Sequence, residues 1–199
     1  MCGKFIVFEG LDGSGQSTQA KLLKEFFERQ GRGVIATKEP TSASDAGREI
    51  IEVLKKRKTA DPKTLQELFV EDRRAHLENL ILPALEKGDI VIGDRYAMST
   101  MAFSAIACDE GWLIEINKDF LWPDMTFVLQ VRPEVSLGRI HKRGKPEELF
   151  ETMEKLTNVS TQYKNLIPRF KNCFGIDGER SIEEVHERVW KEAQKILEK

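Results

Sequence analysis

Residues 5–18 have the sequence FIVFEGLDGSGQST. The apolar run at 5–8 is typical of a buried strand in a parallel sheet. A glycine-rich turn follows, and the apolar residues of 17–30 then recur at helical spacing. This order of strand, glycine-rich loop and helix predicts a phosphate-binding loop, formed by backbone N–H groups together with the N-terminus of the helix.

The loop fits the phosphate-binding pattern G-x-x-x-x-G-K-[ST] at every fixed position but one. Gly10 and Gly15 hold the glycine positions, and Ser17 supplies the hydroxyl that contacts a metal ion. Gln16 replaces the lysine that reaches the β- and γ-phosphates, so a hydrogen-bond donor remains there without a charge. A tight turn with chance glycines is the alternative. The residues predicted to bind phosphate are Gly10, Gly13, Ser14, Gly15, Gln16, Ser17 and Thr18.

The composition is typical of one soluble domain over residues 1–199. The chain has 199 residues, of which 40% are hydrophobic and 32% charged, enough for a sizeable core. Its net charge of −2 gives no basic field that would favour nucleic acid. It contains no signal-peptide pattern and no apolar run of about 18 residues, so we expect a cytoplasmic protein without a membrane partner. The three cysteines are widely spaced and predict neither disulfides nor a zinc site.

Strand and helix patterns alternate along the chain. Strands are predicted at 5–8, 33–38, 89–93, 125–131 and 173–176. Helices are predicted over 17–30, 43–58, 64–87, 98–108, 112–120, 133–143, 149–170 and 181–199. We expect a kink or an adjusted last turn near Pro83 and a capping box formed by Ser181 and Glu184. The alternation predicts an α/β fold with a parallel sheet of about five strands, flanked by helices, that binds ligands at the carboxyl ends of its strands.

The segment Asp94-Arg95-Tyr96 directly follows the predicted strand at 89–93. Parallel strands end at one edge of the sheet, so this segment is expected near the phosphate loop. The carboxylate could hold metal-bound water or position a phosphate acceptor, and the arginine could bind a phosphate through two hydrogen bonds. For the tripeptide alone, a surface ion pair that closes a turn is the alternative.

Several segments together match one family. They are FEGLDGSG at 8–15, TKEPT at 37–41, Leu68-Phe69 followed by Arg73, DRYAMSTMAFS at 94–104 and LGRIHKRG at 137–144. They resemble the thymidylate kinases, P-loop enzymes that transfer a phosphoryl group from ATP to dTMP. The match runs nearly end to end. It implies a single P-loop kinase domain over 1–199, with a helical lid around 139–155.

The resemblance implies how dTMP is bound. Phe69 would stack on the thymine ring, Arg73 would bind the base or the acceptor phosphate, and Thr100 would recognise the base edge. Phe103 would crowd the 2′ position of the sugar and so favour deoxyribose. For both phenylalanines, packing in the core is the alternative. The residues implied to bind dTMP are Asp12, Lys38, Phe69, Arg73, Arg95, Ser99, Thr100 and Phe103.

The resemblance also implies how the moving phosphoryl group is stabilised. Its transfer depends on positioning and on positive charge. Some relatives place an arginine in the loop, at the position of Gly13, and others supply arginines from the lid. Arg139 and Arg143 are spaced i, i+4 and fit the second arrangement, with a solvated basic helix end as the alternative. The implied cofactor is Mg²⁺, held by Ser17 and Asp94. The implied catalytic residues are Asp12, Gln16, Arg95, Arg139 and Arg143, with Arg139 also binding ATP.

Gln16 leaves three interpretations open. The lid cations or Lys38 could compensate for the absent lysine and leave a working kinase. Alternatively, the site could bind nucleotides without catalysis, or it could act on another acceptor such as dUMP, UMP or AMP. We expect the first, because Asp12, Ser17 and Asp94 are all retained around the substitution. The substrates would then be ATP and dTMP, and the family further implies a homodimer.

Overall fold

A parallel sheet organises the fold. The computed structural model describes residues 3–144 and 146–197, and its strands are β1 (Lys4–Gly10), β2 (Val34–Lys38), β3 (Ile90–Asp94), β4 (Met125–Gln130) and β5 (Cys173–Asp177). Their order across the sheet is β2-β3-β1-β4-β5, with every neighbouring pair parallel. The chain leaves the central β1 towards one side of the sheet and later returns to the other. The loop after β1 therefore lies at the switch point where α/β proteins bind ligands.

Burial on both faces of the sheet explains the apolar sequence of the central strands. Alternate side chains of β1 point to opposite faces. Phe8 packs with Leu23 and Phe27 in the core on one face. Val7 packs with Ile81 in the core on the other. Helices cover both faces, so the predicted α/β class with a flanked parallel sheet is confirmed.

The helices of the described ranges follow the predicted alternation. They are α1 (Gln16–Arg29), α2 (Asp45–Leu54), α3 (Pro62–His76), α4 (Leu82–Glu86), α5 (Ala97–Ser104), α6 (Glu110–Asn117), α7 (Pro133–Lys142), α8 (Met153–Leu166) and α9 (Ile182–Leu197). The predicted capping box of α9 is confirmed, because the N–H of Glu184 donates to Ser181 Oγ at 3.2 Å and that of Ser181 donates to Glu184 Oε2 at 3.0 Å. Within residues 3–144 and 146–197, no helix has the length and apolar content needed to cross a bilayer.

The long helix predicted over 64–87 is interrupted. α3 ends at His76, a π-helical turn spans Leu77–Ile81, and α4 follows. Pro83 lies in the first turn of α4 and has no N–H to donate to the preceding turn, so the α-helical ladder cannot continue through it. The kink expected near Pro83 therefore takes the form of a π-helical turn.

Other predicted helix limits were also wrong. The helices predicted over 43–58, 98–108, 112–120 and 149–170 correspond to α2, α5, α6 and α8, and the last two residues of 181–199 lie outside the described residues. At the start of α8, the side chain of Thr152 accepts a hydrogen bond from the N–H of Lys155. Just after α2, Lys56 has a φ of 58° and leaves the helical conformation. Local signals of this kind end or begin a helix without changing the hydrophobic periodicity of the sequence. The periodicity therefore did not predict these helix limits.

Candidate active site

Glycines shape the loop between β1 and α1. Gly10, Gly13 and Gly15 have φ angles of 145°, 77° and 105°, a region that other residues rarely adopt. A Cβ atom at Gly13 would lie 2.9 Å from the carbonyl oxygen of Ser136 on α7. This position therefore cannot carry a side chain unless α7 moves. The first turn of α1 follows the loop directly, and its unpaired N–H groups are available to an anion.

Gln16, at the lysine position, is turned onto the loop. Its side-chain Nε2 donates to the carbonyl oxygen of Gly10 at 3.3 Å, and the residue is buried. The amide therefore links the two ends of the loop, and it brings no charge to a phosphate.

The ends of β2 and β3 and the start of α1 meet at Asp94. The hydroxyl of Ser17, in the first turn of α1, donates to Asp94 Oδ2 at 2.5 Å. Lys38 Nζ lies 3.3 Å from the same oxygen. Parallel pairing places Lys38 at the end of β2 directly opposite Asp94 at the end of β3. This arrangement combines a carboxylate and a hydroxyl, oxygen ligands of the kind that Mg²⁺ prefers.

Arg95 has an uncommon backbone conformation. Its φ is 74°, in the left-handed region, and its N–H donates to the carbonyl oxygen of Phe8 at 2.9 Å. Its guanidinium donates to the Gly10 carbonyl at 2.9 Å and to the Asp12 carboxylate at 2.8 Å, and lies 4.8 Å from the ring centroid of Phe103. Burial acts to lower the pKa of Arg95, but Asp12 and other nearby acidic groups raise it above its ordinary value, so the side chain stays charged.

Arg139 lies on α7, and Arg143 directly follows that helix. Arg139 donates to the carbonyl oxygens of Gly13 at 3.3 Å and Ser14 at 3.4 Å. Arg143, one helical turn later, forms an ion pair with the buried Glu151. Both arginines line the cleft around the phosphate loop. Arg139 also occupies the region that a longer side chain at Gly13 would enter, since its Cβ lies 3.4 Å from an ideal Cβ at that glycine.

The segment after α7, within the predicted lid, is docked on α2 and α5. The N–H of Leu149 donates to the carbonyl oxygen of Leu54 at 2.9 Å. The ring of Phe150 packs edge-to-face on Phe103 with centroids 5.2 Å apart. Residue 145 of this segment lies outside the described residues. Glu148 and Phe150 of this segment line one side of a pocket next to the phosphate cleft.

That pocket also contains most of the residues implied to bind dTMP. It lies between α3, α5 and the segment after α7, and Phe150 belongs to its wall. The sequence-predicted residues that line it are Asp12, Lys38, Phe69, Arg95, Ser99, Thr100 and Phe103.

Arg73 is buried behind this wall, with 1% of its surface exposed. It donates to Glu39 Oε2 at 2.9 Å, to Asn117 Oδ1 at 2.5 Å and to Thr100 Oγ1 at 3.1 Å. The carboxylate of Glu39 balances the charge of Arg73, so Arg73 is not a solvated surface cation. The hydrogen bond from Arg73 to Thr100 orients the Thr100 hydroxyl. This pairing does not favour the expectation that Arg73 neutralises the acceptor phosphate.

Glu9 is a buried carboxylate beneath the site. Its Oε1 accepts hydrogen bonds from the N–H groups of Tyr96 at 2.9 Å and Ser99 at 3.2 Å. Its Oε2 accepts from the hydroxyls of Ser99 at 2.5 Å and Tyr163 at 2.8 Å. Burial raises the pKa of Glu9, and the hydrogen bonds and Arg95 oppose that shift. Glu9 therefore links β1 to the first turn of α5, which follows Arg95.

The phosphate cleft and the pocket meet at three residues, Asp12, Lys38 and Arg95, which line both. Among the described residues, the cations lining the phosphate cleft are Lys38, Arg95, Arg139, Arg143 and Arg180. Positive charge therefore surrounds the loop even though Gln16 supplies none.

Sequence reasoning gave no role to four residues that the structure places at the site. They are Glu9, Glu39, Gln66 and Arg180. An acidic residue inside an apolar strand was a usable signal for Glu9. The rule that ligands bind at the carboxyl ends of strands was a usable signal for Arg180, which follows β5.

The sequence also matches a known protein family. The sequence profile of the thymidylate kinase family matches residues 8–189. The chain belongs to the thymidylate kinase family. The resemblance found in the separate sequence segments is thereby confirmed, and the P-loop kinase fold agrees with the parallel sheet and the loop after β1.

Individual members of the thymidylate kinase family align with this chain over nearly their whole length. A protein described as a probable thymidylate kinase from Pyrococcus abyssi is 40% identical over 195 residues, which cover 95% of each chain. The thymidylate kinase of Caldicellulosiruptor saccharolyticus is 34% identical, and the alignment covers 100% of both chains. The thymidylate kinase of Desulfotalea psychrophila is 36% identical over 98% of this chain and 96% of its own.

Proposed function

We propose that this protein transfers the γ-phosphoryl group of ATP to dTMP, which yields ADP and dTDP. The observation that carries the proposal is the junction of the two clefts at Asp12, Lys38 and Arg95. One cleft contains a phosphate-binding loop, and the other is a pocket with aromatic walls suited to a nucleoside. A phosphoryl group that passes between them crosses the junction.

In this proposal the pocket binds dTMP with its phosphate towards the junction. Phe69 stacks on the base, and Thr100, held by Arg73, hydrogen-bonds to the base edge. Phe103 packs against the sugar. Arg95 binds the acceptor phosphate, since its guanidinium is already fixed at the mouth of the pocket by hydrogen bonds to Asp12 and the loop.

The protein accelerates the transfer through positioning and electrostatic stabilisation, with little covalent chemistry of its own. An oxygen of the dTMP phosphate attacks the γ-phosphorus of ATP, and the bond from that phosphorus to the β–γ bridging oxygen breaks. The backbone N–H groups of the loop and the guanidinium groups of Arg139 and Arg143 stabilise the negative charge on the moving group. Both arginines line the phosphate cleft, which supports this role.

The same cations compensate for Gln16. Losing one preorganised donor or cation costs about 10²–10³ in rate. Lys38, Arg139 and Arg143 all lie around the loop, and the Gly13 position is closed to an arginine by Ser136. The positive charge for the γ-phosphate is therefore supplied by Arg139 and Arg143 at the end of α7 and by Lys38 of β2, and the loop contributes backbone donors.

Mg²⁺ is the proposed cofactor. The described residues contain no group of three or more His, Cys, Asp or Glu side chains that could hold a metal ion. Mg²⁺ in phosphoryl-transfer sites takes only one or two protein ligands, with phosphate oxygens and water completing its shell. Ser17 and Asp94, whose oxygens are 2.5 Å apart, fit that requirement. When bound there, the ion would neutralise charge on the β- and γ-phosphates.

We further propose that the protein acts in the cytoplasm as a homodimer. The supporting observation for a dimer is the exposure of Ile106 (55%) and Ile114 (39%), apolar side chains beside α5 and on α6. Light scattering on the purified protein tests the dimer, and a monomer mass at micromolar concentration would contradict it.

Coupled measurement of ADP release tests the function. We expect turnover that depends on dTMP, with dTDP identified by ion-exchange chromatography, and little turnover with UMP or AMP. Equilibrium binding of both nucleotides without turnover would instead identify a non-catalytic nucleotide-binding protein. Faster turnover with UMP or AMP would identify a kinase for another acceptor.

A further inference from the structure

The backbone of Arg95 is held in its uncommon conformation by two consecutive residues of β1. A φ of 74° is unfavourable for an arginine, so neighbouring contacts must fix it. The N–H of Arg95 donates to the carbonyl oxygen of Phe8 at 2.9 Å, and the N–H of Tyr96 donates to Glu9 Oε1 at 2.9 Å. The peptide groups on both sides of the Arg95 Cα atom are therefore fixed to the central strand.

Glu9 also caps the helix that follows Arg95. The first N–H groups of a helix have no partners within it. Tyr96 is the N-cap residue of α5, and its rigid phenol ring cannot fold back onto these groups as a short polar side chain does. Glu9 Oε1 accepts from one of them, the N–H of Ser99, at 3.2 Å. Glu9 therefore fixes the direction in which α5 leaves Arg95.

Ser99 connects Glu9 to the side chain of Arg95. The Ser99 hydroxyl donates to Glu9 Oε2 at 2.5 Å and accepts from Arg95 Nη1 at 3.1 Å. Because its hydrogen is directed at the carboxylate, its lone pairs are free to face the guanidinium. The same Glu9 oxygen accepts from the Tyr163 hydroxyl at 2.8 Å, so α8 helps to hold the carboxylate. One carboxylate thus supports both the backbone and the guanidinium of Arg95.

We infer that Glu9 is a positioning residue for the acceptor phosphate and acts through Arg95. This inference rests on the proposed function, in which Arg95 binds the phosphate of dTMP. Glu9 itself has an exposed fraction of 0% and lines neither the phosphate cleft nor the pocket, so it does not touch a nucleotide. A guanidinium that is already ordered binds a phosphate more tightly, because less conformational entropy is lost on binding.

Binding of dTMP and of thymidine, measured by calorimetry without ATP, tests the inference. Thymidine has the same base and sugar but no phosphate for Arg95 to bind. We expect the wild-type protein to bind dTMP at least about 30-fold more tightly than thymidine. Glu9→Asp keeps the charge but withdraws the carboxylate by one CH2 group. It should weaken dTMP binding about tenfold and leave thymidine binding within about twofold of wild type.

A second variant and a matched control separate positioning from folding. Tyr163→Phe removes one hydrogen bond of Glu9 without changing charge or ring shape, so it should fold and weaken dTMP binding about threefold. Glu184→Asp is the control, since Glu184 also accepts a backbone N–H, that of Ser181, at the start of a helix. Glu184 lines neither cleft, so both affinities should stay within about twofold of wild type.

The Arg95→Met background shows whether Glu9 acts through Arg95. Arg95→Met should lower the affinity for dTMP towards that for thymidine, because the charged partner of the phosphate is gone. In this background, Glu9→Asp should change dTMP binding by less than about twofold, since the interaction through which Glu9 acts is already lost.

The possible failures are distinguishable. If dTMP binds but Glu9→Asp keeps the wild-type preference over thymidine, or weakens both ligands equally, Glu9 only supports the fold and the inference is overturned while the proposed function stands. A full Glu9→Asp effect in the Arg95→Met background would also overturn it. If the wild-type protein does not bind dTMP at all, the proposed function and the inference both fail.

Discussion

The side-chain amide of Gln16 donates to the carbonyl oxygen of Gly10 at 3.3 Å, so the residue at the lysine position closes the phosphate loop on itself. On the opposite side of the loop, Arg139 donates to the carbonyl oxygen of Gly13 at 3.3 Å. The neutral side chain of Gln16 thus bonds within the loop, and the cation of Arg139 contacts the loop from α7. This division of roles predicts how the two positions respond to substitution.

Replacing Gln16 by lysine should change the rate only modestly. Lys38 of β2 and the arginines at the end of α7 already line the cleft around the loop. We therefore expect dTMP-dependent ADP release by the wild-type protein and a rise in kcat of less than about tenfold in Gln16→Lys. Initial rates of both proteins check this. An inactive wild-type protein that the lysine restores would contradict the compensation by other cations.

Replacing Arg139 by methionine should lower the rate strongly. The variant keeps the aliphatic stem of the side chain but removes the charge, so we expect kcat to fall about 10²–10³-fold, with KM for dTMP nearly unchanged. Steady-state kinetics measures both constants. Arg188→Met, an exposed arginine on α9, is the matched control and should behave as wild type. An equal loss in both variants would remove Arg139 from the mechanism.

Much of this site could be predicted from sequence because its residues follow strand ends. The loop after β1 was predicted from the phosphate-binding pattern. The Asp94-Arg95 pair at the end of β3 was predicted from the rule that ligands bind at the carboxyl ends of strands, and parallel pairing places Phe8 opposite Asp94. The pocket between α3 and α5 was less predictable. Phe69 and Phe103 were recognised only through the family resemblance, since aromatic residues at helical spacing also fit a packed core.

The missed role of Glu9 and the unpredicted partners of Arg73 depend on contacts between segments that are distant in the chain. Glu9 receives a hydrogen bond from Tyr163, 154 residues later. Arg73 is held by Glu39 and Asn117, which lie in two other segments. No local pattern encodes such pairs, so a single sequence indicated that Arg73 was important but not that its charge was already balanced.

Asp94 is expected to control the requirement for Mg²⁺. Its carboxylate accepts the Ser17 hydrogen bond and lies beside Lys38, so Asp94→Asn removes the negative charge that would support the metal. We expect the Mg²⁺ concentration for half-maximal rate to rise about tenfold or more. Titrating Mg²⁺ at fixed ATP measures this. Asp119→Asn, an exposed aspartate outside both clefts, is the control, and an unchanged titration in Asp94→Asn would contradict the assignment.

Glu9 should make stability depend on pH. Burial raises its pKa in the folded protein above the ordinary 4.5, so the folded state binds the proton more tightly than the unfolded state. The free energy of unfolding contributed by Glu9 is therefore greatest below pH 4.5 and falls as the pH rises towards the raised pKa. Glu9→Gln should remove this decline.

Urea denaturation between about pH 4 and pH 8 checks the Glu9 prediction. Glu183→Gln, an exposed glutamate in the first turn of α9, is the control and should keep the wild-type profile. The same decline in Glu9→Gln as in the wild-type protein would mean that another group causes it.

Phe103 is expected to select against ribonucleotides. The centroid of its ring lies 4.8 Å from the Arg95 guanidinium, and the ring packs on Phe150 of the segment after α7. Phe103 is therefore held where the sugar of the acceptor would lie. Phe103→Leu should lower the preference for dUMP over UMP about tenfold by making room for a 2′-hydroxyl. The ratio of kcat/KM for these two acceptors measures the effect, because the nucleotides differ only at that position. Phe26→Leu, which alters an aromatic residue packed between α1 and α9, is the matched control. A preference that survives in Phe103→Leu would show that another group excludes the 2′-hydroxyl and that Phe103 serves to pack the segment after α7 against α5.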